Sequence, residues 1–228
     1  MGSPEYEPTR RKNEGDMHEV NVDSLYISKT PITQKQYLSV CNTNPSYFAL
    51  TGRGKDVVQR METNSFPVET VSWEDAVIFC SKLSVEPQEK ISGRTYRLPH
   101  EVEWEYACRG RTTTPFNTGD IFTSYNGNIM GLYPYGCNII GESLNRTTSV
   151  GKYKSNAFGL FDMHGNVWEW CLNPYYEYNS LKQVNKSKVL RGGSWSCYSR
   201  FCRSAYRCIC ENNVRYYDCG FRIICEIN

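Results

Sequence analysis

The sequence predicts a single α+β domain in which much of the chain is irregular. Helix-start signals lie in the first half of the chain, whereas glycine, asparagine, proline, serine and threonine recur every few residues between Arg111 and Asn185. A chain of 228 residues with 39% hydrophobic and 14% aromatic residues has enough apolar material for one packed core. Neither an internal repeat nor a linker divides the chain, so we expect one domain over residues 1–228.

The N-terminal elements follow from local pattern. Residues 1–17 are polar, charged and without periodicity, which predicts an irregular surface segment. The alternation over His18–Ile27 predicts a strand. Thr33 and Gln36 form a capping box, so a helix is expected to begin there.

Two further helices are expected before residue 111. Ser72 and Asp75 form a second capping box. Pro99 suits the first turn of a third helix that continues through Cys108 and ends at Gly110. After it, from 111 to 185, the punctuation by turn residues predicts short strands joined by long loops and no long helix.

Composition excludes several classes of function. Lys and Arg number 26 against 24 Asp and Glu, a formal charge of +2, so no electrostatic argument favours nucleic acid or an anionic membrane. No apolar run is long enough to span a bilayer. The N-terminus has no basic stretch followed by an apolar core, so no signal or lipid-anchor segment is expected within this chain.

Cysteine is abundant, and the count of eleven is odd. Six cysteines crowd the C-terminal segment, but Cys208 and Cys210 are too close for a zinc pattern and no histidine follows them. Because full intramolecular pairing is impossible with an odd number, either some thiols are free or cysteine stands at several positions for reasons unrelated to cross-linking.

The segment from Arg191 to Arg222 alternates a regular skeleton with residues of irregular type. Arginine, glycine, serine, tryptophan and alanine dominate the skeleton. Its residues are Arg191, Gly192, Gly193, Ser194, Trp195, Cys202, Arg203, Ser204, Ala205, Arg207, Arg215, Gly220, Phe221 and Arg222.

Ordered motifs along the chain resemble those of one family. They include RLPHEVEWEYACRG at 97–110, NAFGLFDMHGNVWEW at 156–170, VLRGGSW at 189–195 and GFR at 220–222. The chain resembles the formylglycine-generating-enzyme (sulfatase-modifying factor) family over essentially its whole length. The resemblance implies a C-type-lectin-like α+β fold of the formylglycine-generating-enzyme subclass, with much irregular loop structure.

An enzymatic function is one hypothesis that the resemblance raises. Cys197 and Cys202 stand where the family has its catalytic cysteine pair, with the same spacing. Two thiolates there would hold Cu(I), which would activate oxygen to oxidise a sulfatase cysteine to formylglycine. After this pair, however, RSAYRCICENNVRYYDCGFR departs from the catalytic members. Free or disulfide-bonded thiols are the simpler interpretation of the pair.

The segment from 191 to 222 also resembles the variable region of diversity-generating-retroelement proteins. There, randomised asparagine codons yield only residues whose codons end in C, which never encode Lys, Glu, Gln, Met or Trp. Thirteen irregular positions obey that restriction, and cysteine is one of the permitted outcomes. These variable positions are Ser196, Cys197, Tyr198, Phe201, Tyr206, Cys208, Ile209, Cys210, Val214, Tyr216, Tyr217, Asp218 and Cys219.

The expected function is therefore non-catalytic binding of a macromolecule, in the first place a protein, by an exposed surface of variable residues. Rigid aromatic side chains suit such a surface because they offer large contact area with few rotatable bonds. The fixed support is expected from four arginines and three tryptophans: Arg203, Arg207, Arg215, Arg222, Trp168, Trp170 and Trp195. The resemblance implies display outside the cytoplasm, at the cell surface, with no required cofactor.

Alternatives remain open at the level of sequence. The tyrosines near 216 fit an ordinary core strand, and the chain fits an invariant family member with a structural or assembly role. The three histidines are far apart in sequence and are expected to be structural or surface residues.

The resemblance also implies a structural calcium site. Asp162, Gly165, Val167 and Glu169 match family positions that bind calcium through two carboxylates and two backbone carbonyls. The alternative is a self-supporting turn in which Glu169 is hydrogen-bonded to backbone.

Overall fold

The computed structural model describes residues 1–176 and 183–227, with backbone only for 183–185. Five α-helices and seven strands are found in this part of the chain. The helices are α1 Gln34–Cys41, α2 Lys55–Val58, α3 Trp73–Ser84, α4 Pro87–Ile91 and α5 Glu101–Arg109. The strands are β1 Tyr26–Ile27, β2 Arg94–Arg97, β3 Trp168–Tyr176, β4 Gln183–Arg191, β5 Cys208–Glu211, β6 Cys219–Gly220 and β7 Ile224–Ile227.

The strands form two small sheets. The first has the order β1-β7-β2, and β7 pairs antiparallel with both neighbours. The second has the order β5-β4-β3-β6, in which only β6 is parallel to its neighbour. Because β4, β5, β6 and β7 all come from the last quarter of the chain, both sheets depend on the C-terminal segment.

The predicted helix starts at Thr33 and Ser72 are confirmed. The Thr33 hydroxyl accepts the Gln36 N–H at 3.2 Å, and Gln36 returns a carboxamide oxygen to the Thr33 N–H at 2.8 Å. Ser72 and Asp75 make the same two bonds. Each pair satisfies backbone donors that the first helical turn leaves free.

The third predicted helix is confirmed with a shifted start. α5 begins at Glu101, its N-cap is His100, and Pro99 precedes the cap instead of lying in the first turn. Gly110 ends the helix with φ of +52°, the left-handed conformation that favours glycine. The His100 N–H donates to the Glu103 carboxylate at 2.7 Å.

Two predictions for the N-terminal region are wrong in part. Only Tyr26–Ile27 of the expected strand pairs with a neighbour, and most of residues 18–25 are exposed and irregular. Residues 1–17 are irregular as predicted, apart from one 3-10 turn, but Ser3, Glu7 and Glu14 are buried. The reason is a buried arginine far along the chain, described below.

Residues 111–167 contain no α-helix and pair only through isolated bridges, as the loop prediction required. Aromatic packing holds this stretch together: the Phe116 and Phe122 rings stack at 4.4 Å, and His164 packs on the edge of both. The expectation of short strands is wrong for β3 and β4, which have nine residues each. Among the described residues, no helix is long and apolar enough to cross a membrane.

Candidate binding surface

The turn after β4 places the candidate surface next to the core. Gly192 and Gly193 have φ of +90° and +73°. A Cβ on Gly193 would lie 2.2 Å from the Cys202 Sγ, and one on Gly192 would lie 3.0 Å from Trp104. Glycine is required here both for backbone conformation and for space.

Three fully buried arginines anchor the segment at its start, middle and end. Arg191 pairs with Glu101 at 2.6 Å and with Glu105 at 2.7 Å. The other two are Arg203 and Arg222. Since a buried charge is costly without a partner, these ion pairs fix the backbone on both sides of the variable positions.

Arg203 reaches the N-terminal segment. Its guanidinium pairs with Glu7 at 2.5 Å and with both carboxylate oxygens of Glu14, at 2.5 and 2.8 Å. It also donates to the Thr9 carbonyl oxygen. Residues 1–17 are therefore part of the support for the candidate surface, which their polar composition did not reveal.

The remaining support residues contribute unequally. Arg207 pairs with Glu101 through two nitrogens, at 2.6 and 2.8 Å. Arg215 makes a similar pair with Asp75 but is half exposed, so we expect that pair to contribute little to stability. The Trp170 indole is fully buried and donates to the Val71 carbonyl oxygen at 3.0 Å.

Most variable positions reach the surface. Ile209, Tyr216 and Tyr217 are 42%, 51% and 48% exposed. Seven positions are half-buried: Ser196, Tyr198, Phe201, Cys208, Cys210, Val214 and Asp218.

The expectation of exposure is wrong for three variable positions. Cys219 lies on β6, hydrogen-bonded beside β3, and its side chain points into the core. Tyr206 packs its ring against Phe201 and Trp168. Cys197 belongs to the same core cluster, and its backbone is hydrogen-bonded to Ser194 and to Met130.

The aromatic residues form two groups, which we name the Tyr198 cluster and the Tyr217 cluster. The first contains Tyr133, Tyr198, Phe201 and Tyr206, with Tyr198 stacked on Phe201 at 5.7 Å. The second contains Tyr47, Phe48, Trp195 and Tyr217, with Tyr217 at 5.2 Å from Tyr47 and 5.7 Å from Trp195. Both clusters combine variable rings with rings from fixed positions.

A polar group is also built from variable and fixed residues. The Asp218 carboxylate accepts the Ser194 hydroxyl at 2.8 Å and the Ser196 hydroxyl at 2.9 Å. Asp218 thus presents an anchored negative charge at the candidate surface. Burial raises the pKa of the nearby Glu69 carboxyl, and the charge of Asp218 raises it a little further.

The Cys197 and Cys202 thiols lie in surroundings that disfavour their thiolate forms. Burial raises the pKa of Cys197 to about 11 and that of Cys202 well above its ordinary value. Cu(I) binding requires thiolates, which this environment disfavours at neutral pH. In the described residues all eleven cysteines are free.

His164 lies close to this pair but has a structural role. Its Nδ1 is 2.7 Å from the Cys202 carbonyl oxygen, and its Nε2 accepts the Asn117 N–H at 3.1 Å. Burial lowers the pKa of His164 to about 4, so the ring is neutral at physiological pH. The prediction that it is structural agrees with these contacts.

The predicted calcium ligand Glu169 already has strong partners. Its carboxylate accepts two hydrogen bonds from Arg222, at 2.6 and 2.8 Å, and one from the Trp104 indole at 2.6 Å. A cation bound there would have to share these oxygens with a guanidinium. The partners of Glu169 are thus side chains, whereas the self-supporting alternative expected backbone partners.

Asp162 is the second predicted carboxylate ligand. It is buried, it accepts the Gly151 N–H at 2.7 Å, and burial raises its pKa to about 6. The Gly165 carbonyl oxygen already accepts the Val167 N–H at 3.0 Å. No group of three or more His, Cys, Asp or Glu residues in the described part of the chain is arranged to hold a metal ion, and calcium at these positions stays a prediction.

Comparison with known families decides the classification. The sulfatase-modifying factor enzyme 1-like domain matches residues 1–227. The chain belongs to this family. Relatives within it carry different names: the chaperone protein LppX of Paenibacillus barcinonensis is 29% identical over 90% of this chain and 81% of its own length.

A second relative is named as an enzyme. The formylglycine-generating enzyme of Mycobacterium tuberculosis is 31% identical over 77% of this chain, and the match covers 61% of the enzyme. Among solved structures, Treponema denticola variable protein 1 has a TM-score of 0.74 at 24% identity, covering 98% of this chain and 90% of that one. The expected C-type-lectin-like α+β fold of the sulfatase-modifying factor family is confirmed.

Proposed function

We propose that this chain is a non-catalytic binding protein whose variable positions recognise a macromolecular target, in the first place a protein. One observation carries the proposal. Within residues 191–222, three of the five skeleton arginines, Arg191, Arg203 and Arg222, are fully buried, whereas ten of the thirteen variable positions reach the surface. Replacement at the ten surface positions is expected to disturb the fold less than replacement of a buried arginine. Phe201, Cys208, Cys210 and Val214 nevertheless pack against the core as well.

The chemistry of the surface supports binding. Aromatic side chains dominate interface hot spots, and both clusters present rings that neighbouring rings hold in place. Rings that are already positioned lose little conformational freedom when a partner binds. The likeness to a variable protein is a likeness of fold, so it supports the proposal only through the shared scaffold.

Variation of the gene is the direct test. Sequences of this segment from sister isolates are expected to differ from one another, and from any nearby template repeat, only within the thirteen codons and only where the template has adenine. The buried arginine codons serve as the internal control. Identical segments in all isolates, or differences spread over the skeleton codons, would contradict the proposal.

A copper-dependent oxidase is the second candidate function. The spacing of Cys197 and Cys202 and the relatives named as formylglycine-generating enzymes favour it. Its test is incubation of the copper-loaded chain with a peptide containing the sulfatase motif, with Cys197→Ser as the variant. Formation of formylglycine that depends on Cys197 would establish this second function, and we expect no turnover.

For localisation we propose display outside the cytoplasm, at the cell surface, since a variable binding face has its use where foreign macromolecules are met. Protease accessibility in intact cells of the source organism tests this. Digestion of the chain without cell lysis is expected, and full protection would contradict it. No cofactor is required by the proposed binding role.

A further inference from the structure

Residues 130–141 form a loop that exposes large apolar side chains. Leu132, Tyr133, Ile139 and Ile140 are 56%, 47%, 56% and 63% exposed. Single apolar residues are ordinary on a protein surface, whereas several on one loop favour contact with a partner. None of the four is among the thirteen variable positions.

Hydrogen bonds fix the shape of this loop. The Gly141 N–H donates to the Gly131 carbonyl oxygen at 3.0 Å and so closes the loop at its base. The Met130 N–H donates to the Cys197 carbonyl oxygen at 2.9 Å, and the Ser199 hydroxyl donates to the Tyr133 carbonyl oxygen at 2.8 Å. The loop is therefore held against the variable segment before any partner arrives.

The loop and the variable segment enclose a groove of about 730 Å³. Tyr133 and Tyr198 line it side by side, with ring centroids 3.8 Å apart. Ile140 and Arg200 complete the walls, and Pro8 of the N-terminal segment lies at one side. The groove is continuous with the Tyr198 cluster.

Two arginines lie on the aromatic rings of the Tyr198 cluster, and one of them, Arg200, also lines the groove. The Arg200 guanidinium lies over the Tyr198 and Phe201 rings at 5.3 and 4.8 Å, and that of Arg11 lies over Phe201 at 5.6 Å. Neither arginine forms an ion pair in residues 1–176 and 186–227. A guanidinium on an aromatic face still has donors free for a carboxylate, which it binds through two parallel bonds.

We propose that this groove binds an extended segment of the partner protein that carries a carboxylate next to an aromatic or large aliphatic side chain. The inference rests on the proposed binding function and names the partner's chemistry. Arg200 receives the carboxylate, and the apolar side chain packs between Tyr133 and Ile140. Arg200, Tyr133 and Ile140 lie outside the variable positions, so every variant of this protein would keep these three side chains. Tyr198, which also lines the groove, would differ between variants.

Selection of peptides by the full chain tests the inference. A phage library of random linear dodecapeptides, panned on the immobilised protein, is expected to enrich Asp or Glu beside Trp, Phe or Leu. The enriched peptides, labelled for fluorescence polarisation, are expected to lose at least about tenfold in affinity with Arg200→Ala or with Tyr133→Ala. Arg200→Lys should retain only part of the peptide affinity, since an ammonium group cannot bind a carboxylate in the bidentate geometry of a guanidinium.

Matched controls separate the groove from general surface effects. Tyr125→Ala removes a more exposed tyrosine of the preceding loop, and Arg60→Ala removes an exposed arginine on the N-terminal half of the chain. Both should leave peptide affinity within about twofold. Unchanged thermal midpoints for all variants show that the losses do not arise from unfolding.

Three outcomes would overturn the inference. The first is a selection without carboxylates or with no peptide that depends on Tyr133 or Arg200. The second is peptides that depend on Tyr217 alone, which would leave the proposed binding function intact but place the contact elsewhere. The third is tighter binding of a single-stranded oligonucleotide, lost with Arg200→Ala, which would assign the groove to nucleic acid. Copper-dependent turnover would instead defeat the proposed function without altering these affinities.

Discussion

The skeleton and the variable positions of residues 191–222 share one short stretch of chain but differ in what they contact. Arg203 is fully buried and is bound to two carboxylates from the N-terminal segment. Tyr216 is half exposed, and its backbone carbonyl oxygen is bonded to the Thr70 N–H. The difference shows how a protein keeps one fold while its surface changes: long-range ion pairs specify the backbone, and the surface side chains are left free.

The largest expected effect comes from breaking the skeleton. Arg203→Met leaves Glu7 and Glu14 buried without a cation, and we expect a loss of about 3–5 kcal/mol in the free energy of unfolding, or no folded protein. Tyr216→Ser, the matched surface variant, should change it by less than about 0.5 kcal/mol. Urea unfolding followed by circular dichroism measures both, and losses of equal size would remove the distinction between the two regions.

A buried carboxyl beneath the Tyr217 cluster should make stability depend on pH. Glu69 accepts backbone N–H bonds from Tyr47 and Phe48, at 2.9 and 2.8 Å. Burial raises its pKa to about 7, although those bonds and the Thr70 hydroxyl lower it. Between pH 4.5 and 7 the folded state therefore keeps a proton that the unfolded chain releases, so stability falls as pH rises.

The size of that fall is on the order of 3 kcal/mol, since one pKa unit corresponds to about 1.4 kcal/mol. Glu69→Gln should remove this fall, so that the difference in unfolding free energy between variant and wild type changes steadily over the interval. Other buried acids titrate equally in both proteins and cancel. If the difference in unfolding free energy does not depend on pH, Glu69 is ionised in the folded state. The surroundings of its carboxyl group are then more polar than its burial indicates.

The smallest of the three effects concerns the turn that leads from the sheet to the surface. Gly193→Ala adds both left-handed strain and a Cβ 2.2 Å from the Cys202 Sγ, whereas Gly159→Ala, with a similar φ of +76°, meets nothing within 4 Å. We expect Gly193→Ala to cost about 1–3 kcal/mol more than Gly159→Ala. Equal thermal midpoints for the two variants would mean that the turn accommodates the added Cβ by a small shift. The skeleton would then be less rigid than proposed.

Local chemistry made part of this fold predictable. The capping boxes at Thr33 and Ser72 and the glycine at 110 act within one helical turn, so sequence alone located α1, α3 and α5. The alternation of apolar and polar residues over 18–27 predicted a strand that is mostly absent, because such a pattern carries no information on whether a partner strand is present. Long-range partners leave no local signal, which is why the burial of Glu7 and Glu14 was not foreseen.

The sequence allowed the position of the candidate surface to be predicted, but not which of its residues are buried. Codon-restricted composition located the variable positions, yet it carries no information on which residues face the core, and Cys197, Tyr206 and Cys219 are buried. The loop around Tyr133 was missed because its glycines and proline indicate only irregular structure. Its one available signal was the number of large apolar residues in a stretch without periodicity.

The ion pairs of Arg203 also constrain how the chain is made. Its partners precede it by 189 and 196 residues, so their carboxylates leave the ribosome long before the guanidinium that neutralises them is synthesised. Contacts over such a span are slow to form because a long loop must close first. The recognition face is then among the last parts of the molecule to assemble, and a nascent chain interrupted before residue 203 would present neither a finished scaffold nor a target-binding surface.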